Sequence, residues 1–249
     1  QNVLIALMTC FHLTRKSLNS SVSLVDQTVG GISSLSVRVH YIDYSPVIDG
    51  RRMKLFAMSW PIAAGKPVFE DKVIRFPLPV RLVVSSPVSG TMDGIMGGAL
   101  DSETLRIGNN SVRCSYIEAA AQRVEGNRVM VRTLSPITCY SQAERNGRPF
   151  TVYHEPDQQE FEDGISNNLV LKFRALYPER EVPRGNVHIT ALGDVYERIS
   201  RFNENSKFPI KGWAGRFSLD GPQELLQIAV DCGLGAKNSA GWGCVVMER

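Results

Sequence analysis

The chain has 249 residues, 43% hydrophobic, 21% charged and 8% aromatic, a globular composition that sets aside disorder, collagen-like repeats and coiled coil. Its 28 basic and 25 acidic residues leave a formal charge of +3, which neither demands nor excludes nucleic acid, so the placement of the basic groups matters more than their number. No apolar run reaches the length of a membrane span, and no membrane partner is expected.

Asn2 to Leu13 is apolar but broken by Thr9 and His12. It reads as a buried strand rather than a signal peptide, which needs a basic start and a small-residue cleavage site. A first residue that is Gln rather than Met leads us to expect that further residues precede it. Leu18, Val22, Val25 and Val29 then recur at helical spacing before Gly30-Gly31. Met53 to Trp60 is a short strand, and Lys72 to Val84 a longer one whose Pro77 and Pro79 imply an edge or a bend. A short, glycine-containing helix follows from Val88 to Leu100. Leu105 to Ile107 and Val112 to Ile117 form a hairpin about Gly108-Asn109-Asn110. In outline this is β-α-β-β-α-β.

The pattern restarts at Arg128, where Val129, Val131 and Thr133 alternate with polar neighbours, and Pro136 to Tyr140 stays extended. Phe150 to Tyr153 is a partner strand after the Asn146-Gly147 turn. Asp157 to Tyr177 is a helix with Phe161, Ile165, Leu169 and Phe173 on one face, Asp157 as its cap and Pro178 as its stop. Val187 to Leu192 and Phe208 to Leu219 are strands; Gly221-Pro222 opens a helix over Gln223 to Asp231, and Trp242 to Met247 is the last strand. The predicted fold class is α+β, with two tandem ferredoxin-like (RRM-like) modules over 1–123 and 124–249, joined near Ala121 to Asn127.

The cysteines, Cys10, Cys114, Cys139, Cys232 and Cys244, are scattered, odd in number and form no C-x-x-C pair. That argues against a disulfide scaffold or zinc knuckle and for a reducing, cytoplasmic setting. His12, His40, His154 and His188 show no ligand spacing, so neither a metal nor a cofactor is expected.

The most informative stretch runs from Asp231 to Gly243, with Gly233, Gly235, Gly241 and Gly243 flanking Lys237, Asn238 and Ser239. Glycine accepts positive φ and close backbone approach, so successive amides there can hold an anion, with Lys237 and Ser239 adding donors. The order helix, loop, strand is the reverse of a P-loop, and no dinucleotide fingerprint or nucleophile elbow is present. From spacing alone the segment is either a phosphate cradle or a structural glycine turn.

The segment from Gly233 to Gly243 resembles the C-terminal glycine-rich signature of the CRISPR repeat-processing endoribonucleases, in the repeat-associated mysterious protein superfamily. Lys54-Leu55-Phe56-Ala57-Met58-Ser59-Trp60 resembles that family's K-L-F strand, Leu134-Ser135-Pro136-Ile137 the opening of its second module, and Asn168-Leu169-Val170-Leu171-Lys172-Phe173 its N-L-x-x-K helix. The resemblance implies tandem ferredoxin-like modules and metal-independent cleavage within the repeats of CRISPR precursor RNA. In that chemistry a 2′-hydroxyl attacks the adjacent phosphate, leaving a 2′,3′-cyclic phosphate. A repeat-binding module that does not cut, within a larger CRISPR adaptation or effector assembly, is the alternative; other CRISPR-associated proteins or fused modules would then be partners.

By the resemblance, His40 takes the place of the family's histidine ahead of the K-L-F strand, and Lys54 that of the lysine that stabilises charge at the cleaved bond. Tyr41 and Tyr44 are phenols that could orient RNA or donate a proton. Ser36 to Ile42 alternates like a strand, however, which would make His40 an ordinary strand residue. His12, His154 and His188 read as packing or solvated residues. Arg51 and Arg52 form the densest basic run and would track phosphates or solvate a turn. Lys207, Lys211 and Arg216 flank Trp213, with Arg198 and Arg201 nearby. They would grip a strand, with Trp213 either stacking a base or lying in the core. Trp242 is expected to pack under the glycine loop.

Overall fold

The computed structural model describes residues 4–12, 21–25, 46–48, 50–70, 73–101, 105–107, 110–200 and 209–248. In chain order the first part runs β1 (Leu4–His12), β2 (Ser21–Val25), β3 (Val47–Ile48), β4 (Arg51–Arg52), β5 (Ala57–Met58), β6 (Ile62–Ala63), β7 (Val68–Glu70), β8 (Val73–Pro77), β9 (Val80–Ser86), α1 (Ser89–Asp101), β10 (Leu105–Ile107) and β11 (Asn110–Ala120). The second part runs β12 (Arg128–Thr133), β13 (Tyr140–Arg145), β14 (Arg148–Tyr153), α2 (Gln159–Leu176), β15 (His188–Ala191), β16 (Tyr196–Ser200), β17 (Ile210–Ala214), β18 (Arg216–Asp220), α3 (Gln223–Cys232), a 3-10 turn (Asn238–Ala240) and β19 (Val245–Met247).

One antiparallel sheet has the order β10-β11-β1-β9-β5, with β6 also on β9. The other has the order β15-β18-β12-β19. Numbered by their place in β-α-β-β-α-β, the strands of both sheets lie in the order 4-1-3-2, as β11, β1, β9, β5 and as β19, β12, β18, β15. This is the ferredoxin-like arrangement, built twice. Among the described residues four smaller pairings stand outside it, β2-β8-β7, β3-β4, β13-β14 and β16-β17, the last also bridged to Ile137 through Trp213.

Four sequence expectations need correction. The helix read over Leu18 to Val29 is a strand at its middle: β2 pairs with β8, Ser21 opposite Pro77 and Val25 opposite Val73. Ser21-Val22-Ser23-Leu24-Val25 alternates with period two and carries two β-branched valines, so a sheet edge outweighs a helical spacing set by four residues. The long strand over Lys72 to Val84 is broken at Leu78-Pro79 into β8 and β9, which belong to different sheets. Phe208 to Leu219 is likewise two strands, because Gly215 turns its backbone to Thr133, accepting from its amide and donating to its hydroxyl. At α2 the capping position falls to Gln158, whose side chain reaches back to the Glu155 amide instead of capping the helix.

Each unit has its own apolar interior. Phe161, Ile165, Leu169 and Phe173 of α2 and Leu225, Ile228 and Ala229 of α3 are sealed against Val131, Phe217 and Leu219 of the second sheet. Phe56, Met58, Val84, Met92 and Ile95 fill the first. Each of these side chains larger than alanine contributes about 1.5–3 kcal/mol of transfer free energy. Between the units runs the segment from Leu55 to Trp60, its side chains alternating sides. Leu55 joins the second unit's interior, Phe56 and Met58 the first, and Ala57 sits with Val83 and Cys244 at the seam.

Candidate functional site

Helix α3 ends at Gly233, and the chain then folds back on itself before β19. Its turns are closed from within. The Leu234 amide donates to Gly243 O (2.8 Å), Ala236 to Thr138 O (2.9 Å), Gly243 to Pro136 O (2.7 Å) and Gly241 to Asn238 O (3.1 Å). Buried Asn238 donates its side-chain amide to Leu234 O (2.9 Å) and Trp242 O (3.0 Å). Side chains on Gly235 and Gly243 would collide with the Thr138 and Leu234 carbonyls, and both glycines hold positive φ, 66° and 68°. The glycines therefore serve the protein's own close backbone approaches.

Of the two readings that spacing leaves open, these four amides and the Asn238 side chain follow the structural turn, since they are committed within the protein. What the loop presents outward is Lys237, exposed, with Ser239 half-buried beside it in the 3-10 turn. Lys237 is held in the left-handed conformation at φ 60°, its Nζ 5.3 Å from the centre of the Tyr140 ring.

The other three motif segments all brace this loop. Leu134-Ser135-Pro136-Ile137 lies directly beneath it: Ser135 Oγ accepts the Cys244 amide (2.9 Å) and donates to Met58 O (3.1 Å), while Pro136 O takes the Gly243 amide. Lys54 to Trp60 packs alongside. Trp60 stands edge-on to buried Trp242, centroids 5.6 Å apart, and its amide donates to Leu134 O (3.2 Å). From the third segment, Lys172 extends from α2 and donates Nζ to Gly233 O (2.6 Å) and Gly235 O (3.3 Å).

Lys172 is 2% exposed, and burial pulls its ammonium down to about 8, partly offset by the neighbouring Cys232 thiol. Sequence reasoning gave it no part in the site. Its signal was present, since with Ile165 and Leu169 it lies on the apolar stripe of α2, where a lysine needs buried acceptors. Tyr140 was also missed.

The basic groups divide. Lys54 and Arg52 are exposed, Lys54 directly before the buried Leu55, and Arg51 and Arg52 form β4 of a small hairpin. Lys211 is paired with Glu197 (2.8 Å) and Arg216 with Glu248 (2.7 Å), so both charges are already met on the protein. Trp213 is buried edge-on to Phe161 (6.0 Å) and belongs to the core. Arg198 lies over the Tyr196 ring. His154 meets Ser141 Oγ (2.9 Å) and His188 meets Glu162 (3.0 Å). His40, Tyr41, Tyr44, Arg201 and Lys207 lie outside the described residues.

Among the described residues no His, Cys, Asp and Glu group forms a metal-binding cluster. Burial pushes the Cys139 thiol up to about 11 and the Cys232 and Cys244 thiols to about 12, which leaves them poor nucleophiles. No helix among the described residues is long and apolar enough to cross a membrane.

Residues 119–247 match the family model for the C-terminal part of the CRISPR associated protein Cas6. Over 167 residues the chain is 26% identical to the CRISPR-associated endoribonuclease Cas6 1 of Methanocaldococcus jannaschii, an overlap of 66% of this chain and 62% of that protein. The chain thus spans about three-fifths of the length of that curated relative. The solved structure of a Cas6-related gene product from Pyrococcus furiosus superposes with a TM-score of 0.75 at 15% identity, covering 100% of this chain and 99% of that one. An RAMP protein described as binding different RNA substrates superposes with a TM-score of 0.73 at 17% identity, covering 99% of this chain and 100% of that one. At such identities these two likenesses speak for a shared fold. The family match takes in just over half of the chain, including the glycine-rich loop, the turn beneath it and the lysine that props it, and makes this protein a member of the Cas6 family of CRISPR-associated proteins.

Proposed function

We propose that the chain is a metal-independent endoribonuclease that cuts CRISPR precursor RNA within its repeats to give guide RNAs. The observation that carries this reading is the meeting of three motif segments around the fourth, a loop that offers Lys237 to solvent, in a chain of the Cas6 family. A phosphodiester backbone is the polyanion such a presented ammonium suits. On this reading the loop is a rigid platform rather than a nest of amides, and Lys237 and Ser239 are its contacts with the RNA backbone. Arg51 and Arg52 follow the strand further along.

The chemistry is a transesterification. The 2′-hydroxyl gives its proton to a base, the 2′-oxygen bonds to phosphorus, and the P–O5′ bond breaks as the departing oxygen takes a proton from an acid. No water is consumed, and DNA, lacking the nucleophile, is no substrate. His40 serves in proton transfer and Tyr41 or Tyr44 orients the RNA or donates. Lys54 stands by the charge that grows on the non-bridging oxygens.

Labelled repeat RNA incubated with and without EDTA tests this. We expect a product ending in a 2′,3′-cyclic phosphate in both, and none from RNA with a single 2′-deoxy sugar at the scissile position. His40→Ala and Lys54→Ala should each slow single-turnover cleavage by about a hundredfold or more. Tight repeat binding by the wild type with no product would overturn cleavage in favour of the non-cutting module, and loss of product in EDTA would overturn metal independence.

A further inference from the structure

The hairpin formed by β13 and β14 is inserted between the first strand and the first helix of the second unit and belongs to neither large sheet. Its register fixes what each face carries. Arg145 lies opposite Arg148, Ala143 opposite Phe150 and Ser141 opposite Val152 on one face; Glu144, Gln142 and Tyr140 share the other with Pro149, Thr151 and Tyr153. The first face thus holds two guanidinium groups and an aromatic ring and has no acid, since Glu144 is turned away from it.

Both arginines are exposed and neither forms an ion pair with another described residue, while Phe150 is 44% exposed. Like charges placed directly opposite each other destabilise a hairpin. An isolated two-stranded ribbon is itself marginal. An arrangement that repels itself in the free protein is relieved by an anion. The root of the hairpin is held: Tyr153 donates to Pro209 O (3.2 Å), the His154 amide to Cys139 O (3.0 Å), and the Tyr140 ring lies under Lys237. The root of the ribbon therefore adjoins Lys237, which meets it on the Tyr140 face, while Arg145, Arg148 and Phe150 lie further out on the other face.

We propose that this face is a second RNA contact, which takes a single-stranded stretch beyond the cleavage site, its phosphates on Arg145 and Arg148 and a base on Phe150. The proposal rests on the RNA reading above. A pair of guanidinium groups next to an aromatic is a stacking platform with charge, suited to an unpaired strand. The strip is about 17 Å by about 10 Å from strand rise and spacing, far below the ~800 Å² per partner of a stable protein interface.

The test compares the full chain with Arg145→Ala/Arg148→Ala and with Phe150→Ala, on repeat RNA with and without an oligouridine extension at each end. For the extended RNA we expect about tenfold weaker binding by the double variant and a salt slope smaller by about 1.4, two single-strand phosphates' worth. Phe150→Ala should weaken it about fivefold or more. Neither should change binding of the trimmed repeat by more than about twofold, or the single-turnover rate at saturating enzyme. The melting temperature of the double variant should hold or rise as the like-charge pair is removed, so lost affinity would not be lost folding.

Unchanged affinity in both variants, with a wild type that binds and cuts repeat RNA, overturns the hairpin contact alone. Unchanged affinity together with loss of a co-purifying CRISPR-associated protein assigns the face to that partner and overturns it too. A wild type that binds no repeat RNA takes down the underlying reading as well.

Discussion

Asp231 sits in the last turn of α3, 4% exposed, beside the negative end of the helix. Burial raises its carboxyl from 3.8 to about 7, and the hydrogen bond from Gln227 Nε2 (2.7 Å) recovers only part of that. Because the folded value lies above the unfolded one, the stability from this site is complete below pH 3.8 and is lost as pH rises through about 7. Asp231→Asn keeps an acceptor for Gln227 and removes the ionisation. Its unfolding free energy should match the wild type near pH 3.5, pull ahead between pH 4 and 7 and level off above, by at most about 4 kcal/mol. Urea melts of both proteins across that range check it; a constant offset, or an advantage confined to acid, would refute the assignment.

The glycine-rich loop shows what an element can conceal in its sequence. Its glycines were legible, and so was the expectation that Trp242 packs beneath them. What they approach was not, because the Thr138, Pro136 and Ser135 oxygens that take its amides come from a distant part of the chain. Lys172 is likewise legible as part of a motif, while its place as the buried prop of Gly233 and Gly235 depends on how α2 packs. Helices α2 and α3 were legible because their apolar faces repeat over several turns and Pro178 and Gly233 end them. The stretch Ser21–Val25 was not, because a helical spacing of Leu18, Val22, Val25 and Val29 runs across its short period-two pattern, which wins once β8 pairs with it. The charges of Lys211 and Arg216 looked available until Glu197 and Glu248 folded against them.

Lys237 makes the loop's role measurable. At φ 60° a lysine costs roughly 1 kcal/mol that glycine does not. Lys237→Gly should therefore keep or raise the melting temperature while weakening repeat RNA and lowering the salt slope by about 0.7–0.9. A residue there for the fold alone would show the reverse, loss of stability at constant affinity. Calorimetry and salt-series binding on one preparation separate the two.

At the scale of the molecule, the segment from Leu55 to Trp60 decides whether two similar units behave as one protein. Leu55 belongs to the second unit's interior though it stands in the first unit's part of the chain, and Ser86 Oγ ties its carbonyl back to β9 (2.7 Å). Ala57 is fully buried against Val83 and Cys244, close to Gly233. No larger side chain fits between a strand and a backbone that close, so Ala57→Leu must part the units, at a cost of about 1–3 kcal/mol. Shared interior implies shared unfolding: the wild type should melt in one calorimetric transition, and Ala57→Leu in two. Val68→Ser, on an exposed edge strand, is the control and should leave one. Two transitions in the wild type would mean that the seam does not couple the units. The same substitution displaces Trp60 from Trp242 and so disturbs the glycine-rich loop from below. Its RNA affinity should then fall with Lys237 intact, which ties the loop's geometry to the packing of both units and not to its glycines alone.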